Sequence, residues 1–293
     1  MSTAAGTARL SGPPSTSTTP APVRRRRVKP AQVVRAVLIA LVALVFALPY
    51  VWMLLASLQD NVQISNPSLF FSPTADNYRN VLATNDFGPY IANSVYVAVG
   101  STAVSLVFGV PAAWAIARFQ RNSVNGVILL ARVVPAILLL VPWYLLFSRA
   151  GIVGGYTALV LSHMFVGLPL VTWIMTGFFR TIPGELDEAG LVDGLTDFGC
   201  FWRIALPLAV PGLATASILS VIFSWNNFLF SLILASEDTL TLPVALYQFI
   251  AYAGIDWGGL MAAATVMTGP VILFSLLVQK YVVGGLTAGA TKG

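Results

Sequence analysis

Long apolar runs separated by short polar stretches fill most of this chain. A helix needs about 20 residues to cross a hydrocarbon core of about 30 Å, so each charge-free run of that length predicts one membrane span. Such runs place spans at residues 36–59, 87–117, 124–147, 150–179, 208–235 and 258–279. The second is expected to open near Asn93, the third holds Pro135 and Pro142, and the fourth ends at Arg180. The polar stretch 60–86 predicts an exported loop with short surface helices. Segment 239–255 is apolar but short for a span and contains Pro243, so it is not counted. The pattern predicts an all-α integral membrane protein with six transmembrane helices.

Charge sets the expected orientation. Residues 1–31 are rich in Ser, Thr, Ala and Pro without an apolar period, which predicts a disordered tail. Arg24, Arg25, Arg26, Arg27 and Lys29 close that tail and suit an anchor touching anionic membrane lipid. The apolar run that follows has no small-residue cleavage pattern and reads as an uncleaved anchor. With both termini cytoplasmic, Arg9, the tail cluster, Arg35, Arg118, Arg121, Arg180, Arg203, Lys280 and Lys292 all lie inside. Arg79 and Arg149 then lie outside, and Arg132 falls within the third span. The expected divisions are a tail over 1–31, a first helix over 32–58 and an extracytoplasmic loop over 59–91. A five-helix core over 92–283 and a cytoplasmic tail over 284–293 complete the chain.

Residues 182–211 break the apolar pattern most sharply. Five of the chain's 11 acidic residues, Glu185, Asp187, Glu188, Asp193 and Asp197, fall here. Charges are expensive in hydrocarbon, so the stretch belongs at an aqueous face. Pro183 suits a first helical turn, and Glu185, Asp187 and Glu188 follow where carboxylates favour the positive end of the helix dipole. Gly194 can end that helix in a left-handed conformation, and Thr196 can cap a second short one.

The same stretch resembles a known element. Glu188-Ala189-Gly190, three residues, Gly194, nine residues and Ile204-x-Leu206-Pro207 are similar to the EAA loop of ABC-importer permeases, with Gly190 where alanine is usual. Ile182-Pro183, Val192-Asp193-Gly194 and residues 207–211 resemble the carbohydrate-uptake branch, the maltose-type permeases. Asn93-Ser94, residues 112–118, residues 225–229 and the end, 285–293, resemble it too, so the likeness covers roughly 32–293. It implies the type I ABC importer permease fold, with loop 181–207 docking in a groove of a cytoplasmic ATPase. Glu188 would enter that groove and pair with a basic residue, while Ala189, Gly190, Asp193, Gly194, Ile204, Leu206 and Pro207 belong to the same coupling element. The implied partners are an ABC ATPase dimer that binds ATP and Mg, a second similar permease subunit and an extracytoplasmic sugar-binding protein. The tail 287–293 resembles an element that reaches toward the ATPase.

Composition narrows the chemistry. At 57% hydrophobic and only 9% charged the chain is far from a soluble domain, where about a quarter of residues are charged. The net charge of +5 has the sign that nucleic acid attracts, but the basic residues gather at membrane borders, where topology accounts for them. Cys200 is the sole cysteine, which excludes a disulfide framework and a multi-cysteine metal site within the chain. No GxxxxGK[ST] loop, metal-ligand cluster or nucleophile–base set is present, so no catalytic residue, metal or cofactor is expected and ATP must be hydrolysed by a partner. His163, in an apolar run, is expected to make an interhelical hydrogen bond rather than serve a proton relay.

A sugar path needs polar and aromatic groups facing a cavity. Trp225, Asn226 and Asn227 offer an indole for stacking and two amides for hydrogen bonds, and interhelical bonding is the equal alternative for them. The chain is thus expected to be the permease subunit of an ATP-driven sugar importer in the cytoplasmic membrane. A permease for polyols or glycerol phosphates shares the same features. A stand-alone secondary carrier would need ionisable groups inside its spans, and only Arg132 is placed there.

Overall fold

The structure is a computed structural model that describes residues 30–66, 71–131, 133–251 and 254–290. Most of the expected tail with its arginine cluster, Arg132 and the last residues, Thr291, Lys292 and Gly293, lie outside the described residues. Two compact units divide after Leu48. The division falls within helix α1, Pro30–Ala56, whose leading part is the apolar helix of the first unit.

The second unit contains α2, Phe87–Arg118, α3, Asn122–Ala131, α4, Leu140–Arg149, and α5, Tyr156–Phe179. Then come α6, Gly184–Val192, α7, Asp197–Cys200, α8, Val210–Trp225, α9, Leu229–Leu234, and α10, Trp257–Ala290. Among the described residues, four helices are long and apolar enough to cross a membrane: Ala31–Ala56, Phe87–Arg118, Tyr156–Phe179 and Trp257–Leu277. A fifth is added if Asp197–Leu208 and Val210–Trp225, bent by 76° where they meet, form one broken span.

Three expected elements differ. The third span is not one helix over 124–147, because α3 ends at Ala131 and α4 starts at Leu140. Pro135 has no backbone N–H and takes an extended ψ of 129°, so only the short 3-10 turn Ala136–Leu139 separates it from α4. Pro142 sits in the first turn of α4, where a missing N–H leaves no helical bond unmade. The fifth run, 208–235, also breaks, since α8 stops at Trp225 and α9 begins at Leu229. Asn226 donates from Nδ2 back to the Ile222 carbonyl at 2.8 Å, and Asn227 Oδ1 accepts from the Phe230 N–H at 3.2 Å. The two amides thus serve backbone groups at the break. At the C-terminus α10 runs on to Ala290, so no helix end marks the tail expected from 284.

The core is built on α2 and α5, which run parallel: Gly100 lies against Val160, and Gly109 against Val171. Helix α8 runs the other way, its Gly212 against Phe178 and its Ser220 and Ser224 against the middle of α2. A line of buried polar groups ties the three together. Ser101 donates to Ser224 Oγ at 3.0 Å and Thr102 to Ser220 Oγ at 3.1 Å. His163 joins them, with Nδ1 2.7 Å from Ser224 Oγ and Nε2 3.5 Å from Ser231 Oγ. Those two serines lie on either side of the break at 226–228, so one imidazole spans it. The expected interhelical role of His163 matches this geometry.

The far end of α2 is fastened differently. Asn93 Nδ2 donates to the carbonyls of Asp238 and Leu240, both at 2.9 Å, while its Oδ1 accepts from the Tyr156 hydroxyl at 2.7 Å. Ser94 Oγ accepts from the Leu242 N–H at 2.8 Å. Segment 239–255 is accordingly no span. It holds the short helix Leu242–Ala245, the turn Leu246–Phe249 and a two-stranded hairpin, β1, Ile250–Ala251, with β2, Gly254–Ile255.

Candidate functional site

The acidic loop folds as its residue types dictate. Helix α6 follows Pro183, with Glu185 and Asp187 in its first turn. It ends in a Schellman turn: Leu195 N–H bonds to the Gly190 carbonyl at 2.9 Å and Gly194 N–H to that of Leu191 at 3.1 Å. Gly194 takes φ +88°, a left-handed conformation that a side chain would strain. Thr196 Oγ1 then accepts from the Gly199 N–H at 3.1 Å and caps α7. From Cys200 the chain continues through the wider turn Phe201–Ala205 and the short helix Leu206–Leu208 into the bend before α8.

Phe201 anchors the loop against the ends of α2 and α5. Its ring lies 5.5 Å from that of Trp114 and 6.5 Å from that of Phe179. Val110, Ala113, Met175, Ala205 and Ala209 belong to the same apolar cluster. Cys200 is buried beneath α6 and its thiol donates to the Asp187 carbonyl at 3.6 Å. Burial pushes the Cys200 thiol up from its ordinary value, and the Asp187 and Asp197 carboxylates add to the rise.

An ion pair joins the loop to a long helix. Arg118 Nε, on the last residue of α2, lies 3.3 Å from Asp187 Oδ2, with side-chain exposures of 21% and 9%. The pair is incomplete: Arg118 Nε and Asp187 Oδ1 are buried without a hydrogen bond, as is Trp114 Nε1 beside them. Burial raises the Asp187 carboxyl above its ordinary value; Arg118 pulls it down and Asp197 pushes it up. A cavity of about 460 Å³ opens here, lined by Trp114, Arg118, Arg180, Asp187 and Glu188 among others.

The expected coupling residues divide by helical phase. Glu188, Ala189, Asp193, Gly194 and Pro207 are exposed, whereas Gly190 is buried and Ile204 and Leu206 are half-buried. An exposed apolar surface accompanies the first group, with Leu186, Val192, Phe198 and Trp202 all open. Gly190 faces α7 so closely that a Cβ there would lie 2.6 Å from Ile204 Cδ1 and 3.1 Å from Cys200 Sγ, which accounts for glycine where alanine was expected.

Residues 105–287 match the family described as the binding-protein-dependent transport system inner membrane component. The chain belongs to that family. It is 35% identical over 265 residues to the trehalose transport system permease protein SugB of Mycobacterium tuberculosis, covering 88% of this chain and 97% of that protein. The trehalose/maltose transport system permease protein MalG of Thermococcus litoralis is 32% identical over 270 residues, covering 89% and 96%. Among solved structures, a bacterial ABC transporter that imports the acidic polysaccharide alginate superposes with a TM-score of 0.71 at 24% identity, covering 85% of this chain and 95% of that one. The permease therefore has the type I importer permease fold and is a multi-pass protein of the inner membrane.

The three candidate path residues are not brought onto one surface. Trp225 is 4% exposed, and its Nε1 donates to the Met267 carbonyl on α10 at 3.0 Å. It packs with Phe87, Leu242 and Phe249, so no ring face is open to a ligand. Asn227 is half-buried, and only Asn226 is exposed. Sequence reasoning also passed over Arg118, Asp187 and Trp114 as site residues. The signal was available: on α6, Asp187 stands three residues before the inward Gly190, while Glu188 falls on the other side.

Proposed function

We propose that this permease translocates a sugar, driven by ATP hydrolysis in a separate ATPase subunit that receives loop 181–207. One observation carries this reading. The loop presents Glu188, Ala189, Asp193 and Gly194 outward beside exposed Leu186, Val192, Phe198 and Trp202, while Phe201 ties it to the ends of two long helices. A surface of that kind, charged and apolar together, fits a protein partner. Glu188 pairs with a basic residue of the ATPase, and the chain itself hydrolyses nothing; ATP and Mg belong to the partner.

The names of the trehalose and trehalose/maltose relatives support a sugar as cargo. The working assembly comprises an ATPase dimer, a second similar permease subunit and an extracytoplasmic sugar-binding protein. Six crossings with cytoplasmic termini put loop 181–207 on the ATPase side, and the distribution of basic residues supports that orientation. In the path, Asn226 contacts sugar, while Trp225 and Asn227 hold the helices around it.

Two measurements test the proposal. In a chain with Cys200 removed, a cysteine at exposed position 76 is labelled from outside, and one at exposed position 193 only after permeabilisation. Labelling of 193 in intact cells overturns the orientation and the docking role together. Asn226→Ala is expected to lower radiolabelled sugar uptake without loss of ATPase co-purification; unchanged uptake removes Asn226 from the path.

A further inference from the structure

We infer that Arg118 and Asp187 form a tether that carries displacement of the docked loop to the end of α2, making them positioning residues for coupled transport. The inference rests on the reading of loop 181–207 as the ATPase-receiving element. Among the described residues two ion pairs occur, and the other, Arg79 with Asp76, is an exposed pair within one short helix. Of these two pairs, Arg118–Asp187 is the one that links the loop to a long helix.

Its placement suits transmission. Asp187 and Glu188 are neighbours on α6, one facing in and the other facing out. Arg118 is the terminal residue of α2, the helix on which α5 and α8 are both packed. A push or pull on the outer face of α6 therefore reaches the central helix through two side chains.

Two kinds of contact join the loop to that helix, and they respond differently to movement. The Phe201–Trp114 contact is dispersive, and a gap of 0.5–1 Å on such a contact forfeits about a quarter to a half of its attraction. Charge attraction falls only as the inverse of distance. The ion pair keeps pulling after the rings have parted.

The cavity supplies the room. It borders both side chains and leaves open space beside the guanidinium and the carboxylate. The pair is also unsaturated, with Arg118 Nε and Asp187 Oδ1 lacking hydrogen bonds. A rigid strut would be expected to have those atoms bonded; a tether that changes length leaves them open. Asp197, Glu188 and Arg180 are the other charged groups nearby.

The test uses the assembled importer in proteoliposomes, with ATPase and binding protein present, reading co-purification, ATP hydrolysis and sugar uptake. Asp187→Asn and Arg118→Gln are expected to assemble normally while uptake per ATP hydrolysed falls about tenfold, within the usual range for coupling between two sites. The charge exchange, Arg118→Asp with Asp187→Arg, is expected to recover most of the loss, and Asp187→Glu to show little loss. Unchanged uptake per ATP in both single variants overturns the tether. So does loss of co-purification in them, since the pair would then serve only to hold the loop's shape. Singles that assemble but are not rescued by the exchange overturn it as well. An unmodified chain that neither binds an ATPase nor takes up sugar overturns the functional reading, and the tether falls with it.

Discussion

Two of the polar links across this bundle are finished to different degrees. Inside, His163 reaches Ser224 and Ser231 while Ser101 and Thr102 reach Ser224 and Ser220, so each of these side chains has a partner. At the loop end, Arg118 and Asp187 meet at 3.3 Å and leave two buried atoms unbonded. The surrounding medium explains the difference. In hydrocarbon no water can complete an unpaired group, and each one left over costs several kcal/mol. At an aqueous edge a cavity of about 460 Å³ can admit water, so an unfinished pair is tolerated. The inner link holds one arrangement, and the outer link permits several.

Charge reversal should break the comparison most violently. Arg118→Asp sets two carboxylates side by side where one is 9% exposed, and removing one partner of a buried pair costs about 3–5 kcal/mol. Uptake should be lost and the thermal midpoint of the solubilised protein should fall by several degrees. A variant as stable as the parent would show that water already solvates both groups.

His163→Leu probes the inner link with a smaller effect. Interhelical hydrogen bonds in membrane bundles average about 0.6 kcal/mol and reach about 1.7. Stability should drop by that measure and the thermal midpoint with it, with partial recovery in His163→Gln, while association with the ATPase is retained. Lost association with an intact midpoint would mean that the inner link also moves.

Acidity separates the two links further. Burial raises the Asp187 carboxyl in the folded state, so folding favours its protonated form. That contribution is fully present below the unfolded value and is lost as pH rises through the raised folded value. Acidification from neutrality should therefore raise the midpoint of the unmodified chain relative to Asp187→Asn, measured by thermal scans across pH. A constant difference between the two would place Asp187 in water.

The smallest change sharpens the apolar side of the loop end. Gly190→Ala sets a Cβ 2.6 Å from Ile204 Cδ1, the far end of a flexible side chain, so the cost should be about 1 kcal/mol. Ile204→Val beside it should restore the midpoint. No effect from either would mean that α6 does not bear on the turn Phe201–Ala205.

Much of the loop was legible because its signals are local. Gly194 at the helix end and Thr196 as a cap act within a few residues and appear where expected, while Pro183 stands just ahead of the first turn rather than in it. The path residues were not legible in the same way. Asn226 and Asn227 looked like two positions on one helix, yet the helix stops at Trp225 and both amides bond to nearby backbone. Trp225 looked available for stacking, but its place against Met267 depends on a helix that comes much later in the chain.

By itself the sequence determined that this is a helical membrane protein, where its polar loop lies and which residues cap that loop's helices. Hydrophobic runs and capping residues act over short distances, so reading them needs no knowledge of neighbours. Tertiary structure alone decided that 124–147 and 208–235 are broken, that His163 bridges one of those breaks, and that Asp187 turns inward to Arg118 while Glu188 turns out. Those outcomes depend on which helices meet, because a buried charge or a freed backbone group takes the partner that packing brings within reach.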